Sequence, residues 1–113
     1  MDIHEEKVLT KEINLNQLGA TLNESWLYSF GSDIKMMLDM MGFGVMAGMP
    51  DIRVKGNRRQ VQAFAGALKG ERRHMDAAKR YGLTDSRTYK SRSKLERSIK
   101  NFEKATGIPW PIN

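Results

Sequence analysis

The sequence predicts an α+β domain: a small sheet of two or three strands with about three helices packed on it, the last two of them basic. Two short segments, Lys11-Glu12-Ile13-Asn14-Leu15-Asn16 and Asp51-Ile52-Arg53-Val54-Lys55-Gly56, alternate apolar and polar residues as half-buried strands do. Three longer segments repeat apolar residues at steps of three and four, the period of an amphipathic helix. No internal repeat, low-complexity tract or linker interrupts the chain, so residues 11–113 read as one domain behind a flexible, acidic segment, residues 1–10. A chain of 113 residues buries roughly two thirds of its unfolded surface, enough for a core without covalent staples.

Taken in order, the first strand turns Ile13 and Leu15 to one side. The first helix runs from Asn23, a candidate cap, to Met41, with Leu27, Phe30, Ile34, Met37, Leu38 and Met41 on its stripe. Gly31-Ser32-Asp33 interrupts that stripe with weak helix formers and leaves open a break into two shorter helices. The glycine-rich, apolar stretch from Gly42 to Pro50 is a mobile loop or a strand turning at Met49-Pro50, and in the second case it forms a hairpin with the strand at 51–56. A long helix follows from Arg58 to about Tyr81, capped by Asn57, with Val61, Phe64, Leu68, Met75 and Ala78 inward and Gly82 as its stop. The last helix begins at Asp85 or at Ser93. The second start has the capping-box spacing Ser93 to Glu96, and it keeps Thr88 and Ser91 off an apolar face of Leu95, Ile99 and Phe102. Gly107 ends it, and Pro109-Trp110-Pro111 forbids continuation. A sheet this small has open edges, which a second copy of the chain could complete as a homodimer.

Charge is divided by position. Met1 to Ile52 carries three basic residues against eight acidic, a net of −5; Arg53 to Asn113 carries sixteen against five, a net of +11, and together they give +6. Such a division points to one positive region that meets something negative. On a helical wheel of about 100° per residue with Val61 as origin, Lys69, Arg73 and Arg80 fall within about 40° of one another, and Arg58 and Arg59 extend the stripe to the helix start. Arg72 and Lys79 lie over the apolar face and must reach outward along their aliphatic stems or sit at its edge. On the last helix Lys90, Arg97, Lys100 and Lys104 lie opposite Leu95, with Glu96 and Glu103 to one flank.

Packed antiparallel, these helices would merge their stripes, with the turn carrying Arg87, Lys90 and Arg92 at one end. Hydroxyl-bearing residues interleave with the cations, which is the footprint of a phosphate-backbone binder. The candidate nucleic-acid-binding residues are thus Arg58, Arg59, Lys69, Arg73, Arg80, Arg87, Lys90, Arg92 and Arg97, for DNA or RNA. Charge that only keeps a helix face wet is the plain alternative. Ala78 and Gly82 have the small-residue and glycine spacing of a helix-turn-helix, which would put Arg87, Lys90, Arg92 and Lys94 on a recognition element. An ordinary glycine-terminated helix explains the same spacing more cheaply.

Other functions find less support. With no cysteine, disulfides, zinc thiolates and thiol catalysis are excluded. His4 and His74 have no nucleophile or acid at a recognisable spacing, and no phosphate loop, dinucleotide fingerprint or metal-ligand spacing is present, so no enzyme activity, cofactor or metal is expected. Met36, Met40, Met46 and Met49 make a candidate contact patch, because thioethers adapt to a partner's surface. Trp26, Tyr28 and Trp110 are expected to cover core, Trp110 being the best placed to stack on a base. With no basic-plus-apolar start and no long apolar run, the expectation is an intracellular, cytoplasmic protein without a membrane span. The reading is a small non-enzymatic nucleic-acid-binding protein. Its rival is a protein-interaction module, an inhibitor or assembly adaptor, docking on an acidic partner and capable of self-association.

Overall fold

A computed structural model describes residues 10–16, 24–43 and 51–112. Its elements run β1 (Thr10–Asn14), α1 (Glu24–Phe43), β2 (Asp51–Lys55), α2 (Arg58–Tyr81) and α3 (Ser86–Thr106). The α+β class, the small sheet and the three helices are as the sequence predicts.

β1 and β2 pair in parallel, with Ile13 beside Val54 and Lys11 beside Ile52. Among the described residues β2's neighbour is β1, and α1 lies in the long crossover that a parallel pair requires. Of the expected hairpin segment, 42–43 finish α1 and 44–50 lie outside the described residues. Ile13 and Leu15 are buried, and Ile52 and Val54 pack against the core from the same face. Lys11 shares that face, so its ammonium meets α1 and bonds the buried Asp33 at 2.9 Å.

α1 is one uninterrupted helix, not two. Phe30, Ile34 and Leu38 are buried along it, and Asp33 is held by Lys11, so tertiary contacts on both sides of Gly31 outweigh a helix-propensity cost of about 1 kcal/mol. Met37 packs against the core, but Met41 is 43% exposed instead of inward. The cap position Asn23 lies outside the described residues.

α2 starts in a complete capping box: the Asn57 side chain accepts from the Gln60 N–H, and the Gln60 side chain accepts from the Asn57 N–H, both at 2.8 Å. Phe64, Ala67 and Leu68 are buried as a stripe. The inward face then departs from expectation, because Met75 is 40% exposed while Glu71 is buried. Glu71 is held inside by the Trp110 indole N–H, and further along α2 the contacts with α3 are small or hydrogen-bonded, His74 with Ser91 and Ala77 with Thr88.

α3 starts at Asp85, not Ser93. Asp85 accepts from the Arg87 N–H at 2.8 Å, and Thr88 is buried on the helix interface. The Thr88 hydroxyl donates to the Gly82 carbonyl at 2.7 Å, with the Ala77 carbonyl also at 3.2 Å, and Ser91 donates to the Thr88 carbonyl at 2.8 Å. Polar side chains can occupy a buried helix face when their groups are satisfied in this way.

Past Gly107 the tail folds back onto the core. Ile108 and Trp110 are buried, and the indole N–H of Trp110 donates to Glu71 at 3.0 Å. Trp110 therefore covers core and is not placed to stack on a base. It contacts Phe102 edge to face, Phe102 contacts Phe30 and Phe64, and Trp26 stacks on Phe30. One apolar cluster thus joins residues from all five elements and the tail.

Gly82 stops α2 at φ 90°, ψ 161°, a region that L side chains rarely adopt, whereas Gly107 stops α3 in the ordinary left-handed conformation at φ 75°, ψ 7°. Gly82→Ala is expected to cost about 1–3 kcal/mol by urea denaturation, and more than Gly107→Ala. Equal losses for the two variants would contradict this assignment of strain.

Candidate nucleic-acid interface

The site forms because α2 and α3 are joined by a four-residue turn and lie antiparallel. Ascending α2, the contacts descend α3: Phe64 with Phe102, Gly70 with Leu95, His74 with Ser91, and Ala77 with Thr88. A Cβ at Gly70 would come 3.3 Å from Leu95 Cδ1 and 3.4 Å from its Cα, so the missing side chain is what lets the helices approach this closely.

Along one flank of the seam runs a groove of about 360 Å³. Its floor carries the small residues Gly66, Gly70, Ser91 and Ser98; its walls carry Lys69 and Arg73 from α2 and Arg87, Lys90 and Lys94 from α3. None of these lining residues is acidic. All five cations are exposed, and among the described residues Lys69, Arg73, Lys90 and Lys94 have no carboxylate within ion-pair distance. Lys69 and Arg73 are one turn apart, as are Lys90 and Lys94, so each wall offers two charges about 6 Å apart along its helix.

Arg87 differs from the other four. Its guanidinium donates to both oxygens of Asp85, at 3.0 and 3.1 Å, and its central carbon lies 3.6 Å from the centroid of the Tyr81 ring. The hydrogen bonds from Arg87 hold the Asp85 carboxyl below the usual carboxylate range, and the same pairing raises the Arg87 pKa. The pair is therefore charged throughout the neutral range.

The structure brings together four of the nine candidates: Lys69, Arg73, Arg87 and Lys90. Arg80 adjoins them, lining with Arg73, Asp76, Lys79 and Tyr81 a hollow of about 540 Å³ at the end of α2, where Asp76 is paired with Arg72. Arg58 and Arg59 are exposed in the first turn of α2, at least ten residues or about 15 Å of helix from Lys69. Arg97 is exposed outside the groove, and Arg92 lies on the other flank, 3.4 Å from Glu96, beside a hollow shared with Glu71, Glu103 and His74. Lys94 enters the groove although the charge stripe alone did not select it. Its signal was available: it lies one turn beyond Lys90 and two beyond Arg87, on their side of the helix. Arg72 sits at the edge of the apolar face instead of reaching outward, and is withdrawn from the surface charge. It donates to the Leu38 carbonyl of α1 at 3.0 Å and pairs with Asp76 at 2.9 Å.

His74 Nδ1 lies 3.3 Å from Ser91 Oγ, but the serine proton is directed to the Thr88 carbonyl. With that proton committed, the ring can bond Ser91 only as a donor, through the tautomer protonated at Nδ1. Among the described residues no group of three or more acidic or histidine side chains could hold a metal ion, and no helix is long and apolar enough to cross a membrane. Of the methionine patch, Met36 and Met40 are half-buried on α1, while Met46 and Met49 lie outside the described residues. Comparison with protein-family models, with curated proteins and with solved structures returns no match.

Proposed function

We propose that the protein is a small non-enzymatic nucleic-acid-binding protein whose α2–α3 groove contacts the phosphate backbone. The observation that carries this reading is the gathering of five cations from two helices around a floor of small residues, with no acidic residue among the lining. An exposed positive charge that serves only solubility gains nothing by facing like charges, which repel one another. Lys69, Arg73, Lys90 and Lys94 are the phosphate contacts, and Arg80 prolongs the surface. Ser98 beside them adds a hydroxyl donor for phosphate oxygens. No base-reading group is required by this arrangement, so binding is governed by the backbone.

The test is fluorescence anisotropy with labelled duplex DNA, single-stranded DNA and RNA between 50 and 200 mM salt. Four neutralised phosphates predict a log–log slope near −3.6 for duplex DNA and a loss of roughly a hundredfold over that interval. Affinity that is flat with salt on all three probes overturns the reading.

A further inference from the structure

We propose that Asp85 regulates the groove by holding its fifth cation, Arg87, in reserve; this deepens, and rests on, the nucleic-acid reading above. Arg87 lines the same groove as the four cations that have no carboxylate partner among the described residues, and its side chain is 62% exposed, so it is within reach of a bound backbone. Yet it is already satisfied. Asp85 presents both carboxylate oxygens to it in fork-to-fork geometry, the most favourable arrangement for an arginine–carboxylate pair, and the Tyr81 ring supports the guanidinium from one face.

The carboxylate cannot swing away without cost. Its Oδ1 also accepts the Arg87 N–H that caps α3, so one side chain both starts the helix and occupies the cation. A phosphate arriving at the groove must displace an anion that is covalently tethered two residues away, which is a competitor of high local concentration. The other four cations engage phosphate directly, while Arg87 engages it only after exchanging one anion for another. Asp85 is thus a positioning residue that sets how many charges the protein commits to a nucleic acid.

Asp85→Asn separates the two roles of this side chain. Asparagine caps a helix about as well as aspartate, so the start of α3 is kept while the competing charge is lost. Duplex DNA binding by this variant is expected to steepen in log–log salt slope by about 0.9 and to tighten roughly three- to tenfold at 0.1 M salt. Arg87→Ala in the Asp85→Asn background is expected to abolish that gain and to cost several-fold more than Arg87→Ala alone. A merely structural role for Asp85 would change the melting temperature and leave the slope alone, so both are measured, and Asp85→Ser provides a second cap that lacks the charge.

No change in slope for either Asp85 variant overturns the proposal. So does a gain that persists in the double variant, because it would come from relief of general repulsion and not from Arg87. If the unaltered protein shows no salt-dependent binding, the nucleic-acid reading itself fails and the proposal falls with it. The two failures are therefore distinguishable.

Discussion

Replacing Lys69, Arg73, Lys90 and Lys94 together by alanine is expected to weaken duplex DNA binding about 10²- to 10³-fold at 0.1 M salt and to flatten the log–log salt slope by about three to four. The reasoning is additive, because each side chain releases one counterion equivalent and none of the four is committed to a carboxylate among the described residues. All four are exposed positions in helix interiors, where alanine is the best helix former, so the fold is retained and its melting temperature checks this. The matched comparison removes the same charge elsewhere: Arg92, Arg97, Lys100 and Lys104 replaced by alanine lose a similar long-range attraction but leave the groove intact. That variant is expected to lose less than about tenfold. Equal losses for the two variants would mean that net charge, and not the groove, carries binding.

Phe102→Ala is expected to destabilise the protein by about 3–5 kcal/mol, the largest single-residue effect on the fold. Phe102 is fully buried, and its ring is shared by three partners: Phe30 of α1 at 6.1 Å, Phe64 of α2 at 6.0 Å and Trp110 of the tail at 5.2 Å between centroids. Its removal opens a cavity at the point where the helical pair meets the rest of the core. At about 4–8 °C per kcal/mol for a domain near this size, the melting temperature should fall by about 12–40 °C. Chemical denaturation measures the loss directly, and a value below about 1.5 kcal/mol would show that Phe102 does not join these elements. Because Phe102 is fully buried and does not line the groove, weaker nucleic-acid binding by this variant should track its unfolded fraction.

These two predictions draw unequally on the sequence. The cationic stripe of Lys69 and Arg73 is visible on a helical wheel, because both charges sit on one helix and the wheel is a local property of the chain. That Arg87, Lys90 and Lys94 share one side of α3 is also local, but which flank of α3 meets α2's stripe is not visible. Lys94 and Arg92 are two residues apart and equally basic, but the packing of α3 turns the first into the groove and the second toward Glu96 on the opposite flank. Arg87 was recognisable as a cation of the turn. Its engagement by Asp85 follows only once Asp85, and not Ser93, is known to start the helix.

Glu71 and Trp110 show the same limit. A glutamate on a basic helix reads as a surface charge, and a tryptophan between prolines reads as a cover for core with no partner named. Thirty-nine residues apart, they become buried partners through one hydrogen bond. Neither residue carries a local sign of the other.

What the sequence determined by itself is everything whose cause lies within a few residues. The strands come from alternation, the helices from three- and four-residue periodicity, the start of α2 from Asn57 and Gln60, and the helix ends from Gly82 and Gly107. Tertiary structure alone decided the parallel pairing of β2 with β1, the continuity of α1 through Gly31, the start of α3 and the membership of the groove. The physical reason is one of range. Caps and periodicity are satisfied by hydrogen bonds and faces along a single element, whereas strand partners, buried polar groups and shared charged surfaces depend on which distant segment arrives to complete them.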